Sequence, residues 1–179
     1  MMRTPPLGLR NRLAETILLA LSDEAARRRL AAQDFAWLAE AAADEAALVS
    51  ARARRASEAL AACPSMGAER SLDETLAAAA TLFDAGLYFE VHELLEPRWV
   101  SATGAERQAL QGLIQVAVAF QHRDNGNVEG ARSLLVEGNA RLREGRLPGL
   151  DLESFAEAAS ASVAGLESGV TTPRFPRTR

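Results

Sequence analysis

The chain has 179 residues, of which 48% are hydrophobic and 5% aromatic, enough for one compact domain or for a core domain with a helical appendage. Its formal net charge of −4 argues against nucleic-acid-binding and anionic-membrane-binding proteins, because both classes need basic patches. The sequence contains no lysine and a single cysteine, Cys63, which excludes lysine-based catalysis, a disulfide framework and a thiolate metal site.

Alanine dominates the hydrophobic residues, and a chain rich in alanine but poor in aromatics favours closely packed helices over a sheet. We therefore expect an all-α protein. No stretch approaches about 20 uninterrupted apolar residues, and the amino terminus lacks a long apolar segment after its first arginine. A cytoplasmic location is the expectation that follows.

Residues 1–8 contain two prolines and a glycine and are predicted to form an irregular lead-in. Apolar residues then recur at three- and four-residue steps over residues 9–21, the pattern of an amphipathic helix. The run Ser22, Asp23, Glu24 indicates the end of that helix and the N-cap of another.

The alanine-rich residues 25–62 predict one or two long helices. In a continuous helix, one stripe is shared by Leu30, Trp37, Ala41 and Leu48. Asp34 could cap a second segment, and the arginine clusters of this region are interpreted as solvated faces. Residues 63–67 include a proline and a glycine, so we expect the helical pattern to end there.

This break divides the chain into three predicted parts. Residues 1–67 form an N-terminal helical extension and linker, residues 68–168 a core helical domain, and residues 169–179 a loosely ordered tail. The core begins with Ser71 and Glu74, which have the spacing of a capping box.

The core is predicted to contain five helices separated by turn signals. The first runs to Ala85 and ends at Gly86, a residue suited to a left-handed C-terminal position. The others are expected over residues 88–99, 105–123, 127–143 and 151–166, with glycine, proline or aspartate at their ends.

A weak internal repeat relates two parts of the core. Sliding the chain by 40 residues lays Gly86 over Gly126 and Leu94 over Leu134, and each unit reads as helix, glycine turn, helix. This organisation is similar to tetratricopeptide repeats, whose period is about 34 residues. The predicted fold is therefore an all-α multi-helix bundle with a tetratricopeptide-like pair of helical hairpins plus the alanine-rich N-terminal helical extension.

Polar residues interrupt the apolar faces of the second and third core helices. At about 100° per residue, His92 and Glu96 share one side of the second helix with Tyr88, Phe89, Leu95 and Trp99, whereas Glu90 and Glu93 point away. The third helix carries its own stripe of Gln111, Gln115, Val118 and His122. Because buried polar groups need partners, we expect the two stripes to be buried and to face each other.

The register of this helix pair can be estimated from the turn near residue 103. It sets His92 level with Leu113, and it separates the two histidines by about 13 Å. We therefore do not expect His92 and His122 to bind one metal ion. Pro97 is expected to kink or loosen the second helix, since it cannot donate to the carbonyl of Glu93.

Motif residues of the core resemble the bacterial and archaeal domain-of-unknown-function family 309. The resemblance covers roughly residues 75–145 and is carried by Phe83, Gly86, Tyr88, Phe89, His92, Glu93, Glu96 and Trp99, then by Gln111-Gly112-Leu113-Ile114-Gln115, Ala117, His122, Gly126-Asn127 and Gly130-Ala131. It implies a small all-helical domain of unestablished activity. Proline at position 97 is a possible departure from the family pattern. The motif positions taken as candidate ligand-binding residues are His92, Glu93, Glu96, Trp99, Gln111, Gln115, His122 and Asn127.

Three hypotheses for this polar region remain open. The first is a structural network that fixes the helix register. The second is a non-catalytic binding or assembly module, with a polar pocket between the two helices for a small molecule or a peptide segment. The third is a metal-dependent or acid/base hydrolase that uses His92 and Glu96, whose four-residue spacing can place two ligands on one helix face. The residues designate no catalytic set, no specific metal site and no particular cofactor.

Some residues have a simpler expected role. His122 should bond at a helix end near residues 84–86 or 125–127, and Asn127 should cap the fourth core helix. Trp37 and Trp99 are expected in the core. Among partners we expect neither nucleic acid nor a membrane, and a homodimer through the N-terminal helices is possible.

Overall fold

The computed structural model describes residues 4–67, 69–164 and 172–177. Within these residues the chain forms eight α-helices, one 3₁₀ helix and no strand. The helices are α1 (Leu7–Leu19), α2 (Glu24–Ala32), α3 (Ala43–Ala61), α4 (Leu72–Asp84), α5 (Tyr88–Ser101), α6 (Gly104–Asp124), α7 (Val128–Glu144) and α8 (Leu152–Ala164), with the 3₁₀ helix at Ala36–Glu40. The predicted all-α multi-helix bundle is confirmed.

Local capping signals place several helix ends where the sequence predicts them. Asp23 accepts a hydrogen bond from the Ala26 N–H and begins α2. Ser71 and Glu74 form a capping box at α4, each side chain accepting from the other's backbone N–H. Asp151 caps α8 by accepting from the Ser154 N–H.

The region between α2 and α3 differs from the prediction. α2 ends at Gln33, which adopts a left-handed conformation with φ of 53°, and the short 3₁₀ helix follows. The stripe expected across residues 30–48 is therefore interrupted, since it requires one continuous helix. Asp34 is exposed, and α3 instead begins after Ala42, whose N–H donates to the Glu45 side chain.

In the predicted core, helices α4 to α7 form two adjoining helical hairpins, α4–α5 and α6–α7. Glycines with positive φ, Gly86 at 71° and Gly126 at 83°, turn the chain within each hairpin. α6 packs against both α5 and α7, and α8 covers α7. Aromatic rings fill the interior beside these turns, where Phe83 contacts Tyr88, Phe120, Phe155 and Phe175 with centroids 5.1–5.7 Å apart.

The N-terminal extension packs on this core. α1 buries Leu13 and Ile17 completely, and it contacts α2, α3 and α5. Arg27 donates a hydrogen bond to the carbonyl of Cys63, in the connection before α4. Within the described residues, no helix has the length and the apolar character that crossing a membrane requires.

The described part of the predicted tail, residues 172–177, packs against the core. Phe175 is 2% exposed, and its N–H donates to Asp84 at the end of α4. Burial of this aromatic ring stabilises the contact of the segment with the core. Residues 169–171 and 178–179 of the predicted tail lie outside the described residues.

Candidate functional site

Three potential metal ligands lie together on one turn of α5. The Nδ1 atom of His92 is 3.7 Å from a carboxylate oxygen of Glu93, and its Nε2 atom is 3.9 Å from a carboxylate oxygen of Glu96. One donor atom from each residue can be chosen so that all three lie within 4.8 Å of one another. We call these three residues the His92 cluster.

The His92 cluster lies at the surface, which corrects the prediction of a buried aromatic face. The His92 side chain is 31% exposed and that of Glu96 is 48% exposed. Tyr88, Phe89 and Leu95, predicted on the same face, are buried. The helix therefore turns this face only partly inwards, and the imidazole and carboxylates meet water at its edge.

An arginine of the N-terminal extension lies next to the cluster. Phe89 makes an edge-on contact with the His92 ring, with centroids 6.2 Å apart. The guanidinium of Arg10 lies over the same Phe89 ring, 3.8 Å from its centroid, a cation–π contact. Arg10 is 79 positions before Phe89 in the chain, so no local sequence signal could have indicated this neighbour.

Glu90 was predicted to point away from the core, but it is buried. Its side chain is 0% exposed and pairs with Arg52 of α3 through two hydrogen bonds of 2.9 and 2.6 Å. Burial alone would lower the pKa of Arg52, but the charge of Glu90 and its hydrogen bond raise that pKa above the ordinary value. Arg52 therefore stays charged, and its two hydrogen bonds to Glu90 join the extension to α5.

The glutamine stripe of α6 faces α7, not His92 and Glu96. Gln115 donates to Glu137 at 3.0 Å, and one helical turn before the stripe Gln108 accepts from Arg141 at 3.0 Å. Gln111, between them, is half-buried. The predicted pairing of the two stripes is therefore wrong, because Gln115 takes its partner from the next helix along the chain.

Gly112 explains why α6 and α7 approach so closely. A Cβ atom at this position would lie 2.8 Å from Leu142 and 2.9 Å from the carbonyl oxygen of Gly138. Only glycine leaves room for that contact. Gly112 in the Gln-Gly-Leu-Ile-Gln motif therefore has a packing role.

Trp99 lies at the C-terminal end of α5, beyond the cluster. It is half-buried, and the Arg107 guanidinium stacks on its ring 4.4 Å from the centroid while donating to the Trp99 carbonyl at 2.7 Å. The indole N–H is buried without a hydrogen-bond partner among the described residues. α5 continues through Pro97 to Ser101.

His122 and Asn127 form a separate arrangement at the α6–α7 turn. The Nδ1 atom of His122 is 2.8 Å from the Asn127 side-chain amide nitrogen, and the Asn127 oxygen accepts from the Gly130 N–H at 2.9 Å. Asn127 thus caps α7, as predicted, and His122 bonds at the helix end. Neither belongs to the group of metal-ligand atoms around His92.

Four cavities of about 250–380 Å³ are lined by described residues, and no residue of the His92 cluster lines any of them. None of these four includes His92, Gln111 or Gln115. The largest lies between the end of α7 and the start of α8. The polar chemistry at His92 is therefore presented on an open surface and not within any of these cavities.

Of the eight candidate residues, the structure brings His92, Glu93 and Glu96 together. Trp99 ends the same helix, Gln111 and Gln115 lie towards α7, and His122 and Asn127 belong to the turn. The sequence reasoning missed three contacts, those of Arg10 with Phe89, of Arg52 with Glu90 and of Asp84 with Phe175, because the partners are distant in sequence.

The family comparison covers the part of the chain that carries these motifs. The model of the family described as Domain of unknown function (DUF309) matches residues 76–134, from α4 to the first half of α7. No curated protein and no solved structure matches the chain. The resemblance inferred from the motifs is thus confirmed over residues 76–134.

Proposed function

We propose that the protein is a non-catalytic binding module, that its binding site is the His92 cluster, and that the ligand is a divalent transition-metal cation. The observation that carries this proposal is the meeting of one imidazole nitrogen and two carboxylate oxygens within 4.8 Å. Metal–ligand bonds of about 2.0–2.2 Å bring ligand atoms within about 3–4 Å of each other. Side-chain rotations would have to bring the three ligand atoms from within 4.8 Å to this separation.

The chemistry of the donors supports a transition metal over magnesium or calcium. Imidazole suits zinc, iron, copper and nickel, whereas all-oxygen sites suit magnesium and calcium. Glu93 and Glu96 can supply two negative charges to balance a divalent ion. Partial exposure of all three side chains leaves an entry path from solvent, and the Phe89 ring restricts the orientation of His92.

The test is metal titration of untagged full-length protein purified without chelator. We expect zinc or cobalt to bind at one ion per chain, and His92→Ala or Glu96→Gln to weaken binding by about tenfold or more. His122→Ala is the matched control, because it removes the other histidine of the chain and should leave affinity unchanged. Equal binding by the parent protein and His92→Ala would refute the proposal.

Metal-dependent hydrolysis is the second candidate function. The group of ligand atoms found among the described residues contains three side chains, and catalytic zinc sites also use three protein ligands and leave one position for water. Zinc-dependent cleavage of an activated ester that is lost in His92→Ala would favour this candidate. Stoichiometric zinc binding without such cleavage would favour the binding module.

A further inference from the structure

The C-terminal residues 172–177 contact the core in the manner of a bound peptide. They form no helix or strand, yet Phe175 is 2% exposed between Phe83 and Phe155, with centroids 5.4 and 5.6 Å away. Buried aromatic anchors and arginines of this kind also supply much of the binding energy at protein–protein interfaces. We call residues 172–177 the tail segment.

Asp84 supplies the polar half of this contact. Its carboxylate is 7% exposed and accepts from the Phe175 N–H at 2.9 Å. The same carboxylate pairs with Arg174 at 3.3 Å and with Arg177 at 2.7 Å. The Asp84 carboxylate therefore binds the backbone N–H of Phe175 and the two arginines that flank Phe175 in the chain.

Thr172 and the end of the segment make further contacts, including a hydrogen bond between the Tyr88 and Thr172 side chains. Arg123 donates to the Thr172 hydroxyl at 3.0 Å, and Arg177 with Pro176 borders an open cavity of about 250 Å³ next to α4. Arg174 and Arg177 are 81% and 53% exposed. Ordering an irregular segment costs conformational entropy, which offsets part of what these contacts to Phe175, Asp84 and Thr172 contribute. A competing segment with the same contacts could therefore displace it.

We propose that the surface formed by Phe83, Asp84 and Phe155 is a recognition site for a protein segment in which arginines flank an aromatic residue. The tail segment occupies it in cis and competes with a partner protein's segment of the same chemistry. The charge complementarity of Asp84 with two arginines, together with the aromatic pocket, selects this occupant over an acidic or purely apolar one. The site is independent of the His92 cluster.

The test uses full-length protein carrying Phe175→Ala, which removes the anchor of the cis segment. A fluorescent peptide with the sequence of residues 172–179 is titrated into this variant and into the parent protein. We expect saturable binding to the variant, about tenfold weaker binding to the parent because the cis segment has a high effective concentration, and no binding of the same peptide with phenylalanine replaced by alanine.

Controls separate the possible failures. Adding Asp84→Asn to the Phe175→Ala protein should weaken peptide binding about fivefold or more, because the neutral amide keeps the shape but loses both arginine pairs. Equal binding of the 172–179 peptide and of its phenylalanine-to-alanine version would refute the proposal. Loss of folding of the Phe175→Ala protein, measured by circular dichroism, would also refute it, since the segment would then be part of the core. The parent protein could also form a dimer at high concentration that Phe175→Ala abolishes. That result would overturn the assignment to a partner protein, because the occupant of the site would be a second copy of the chain.

Discussion

Removal of Arg52 should destabilise the protein far more than removal of any exposed arginine. Glu90 is 0% exposed, and Arg52 is its partner through two hydrogen bonds. In Arg52→Met the Glu90 carboxylate would stay buried with its counter-charge gone. Breaking a buried pair in this way costs about 3–5 kcal/mol, whereas an exposed pair contributes about 0.2–1 kcal/mol. For a chain of this length the expected fall in Tm is about 6–20 °C.

The assay is a double-mutant cycle followed by urea unfolding and by thermal melting. Arg52→Met and Glu90→Leu are measured singly and together. The double variant should recover most of the lost stability, because two apolar side chains no longer carry a desolvated charge. Arg54→Met, on the exposed side of the same helix, is the control and should change stability by less than about 0.5 kcal/mol.

Two results would refute this reasoning. A cost below about 1 kcal/mol for Arg52→Met would mean that the pair behaves as an exposed one. Strictly additive costs of the two single variants in the double variant would mean that Arg52 and Glu90 do not depend on each other for stability.

Two further predictions concern the core. Burial raises the pKa of Tyr88, and hydrogen bonds to Thr172 and Arg123 oppose part of that shift. Tyr88 is the only tyrosine of the sequence. The absorbance at about 295 nm should therefore report a Tyr88 pKa above the ordinary value of about 10. In the unfolded chain Tyr88 loses its proton at a lower pH than in the folded protein, so the free energy of unfolding should fall as pH rises above about 10. A Tyr88 titration midpoint in the folded protein that is no higher than the midpoint in urea would contradict this. Gly112→Ala should lower the free energy of unfolding by about 1–3 kcal/mol, measured by thermal melting, because the new Cβ meets the neighbouring helix. The control is Gly8→Ala, which lies in open space and should be neutral or slightly stabilising. Equal effects of the two substitutions would be evidence against close α6–α7 packing.

The helix ends could be predicted from the sequence because their causes are local. The Ser71–Glu74 capping box, the Asp23 and Asp151 caps and the Asn127 cap each join groups three residues apart. Such contacts need only the backbone geometry of one helical turn. The failure between α2 and α3 has the same origin: a left-handed Gln33 is not marked by glycine or asparagine, the residues that usually signal this conformation.

The spacing of His92 and Glu96 could be predicted from the sequence, but the surroundings of these two residues could not. His92 and Glu96 share a helix face by spacing alone, and the structure brings Glu93 to the same cluster. Helical periodicity does not tell how far that face turns towards solvent. The predicted burial of His92 was therefore wrong, and its contact with Phe89 and, through that ring, its proximity to Arg10 depend on the position of α1.

By itself, the sequence determined the all-α composition, the helix caps, the glycine turns and the short-range spacing of the His92 cluster. Only the tertiary structure decided that Glu90 is buried against Arg52, that Gln115 faces Glu137 and that Phe175 fills the aromatic core. Each of these contacts joins residues between 22 and 92 positions apart on different elements. The spacing of polar residues in the sequence defines which side of a helix is polar. Which element that side contacts depends on the packing of the whole bundle, because burying one helix face determines which neighbouring faces stay exposed.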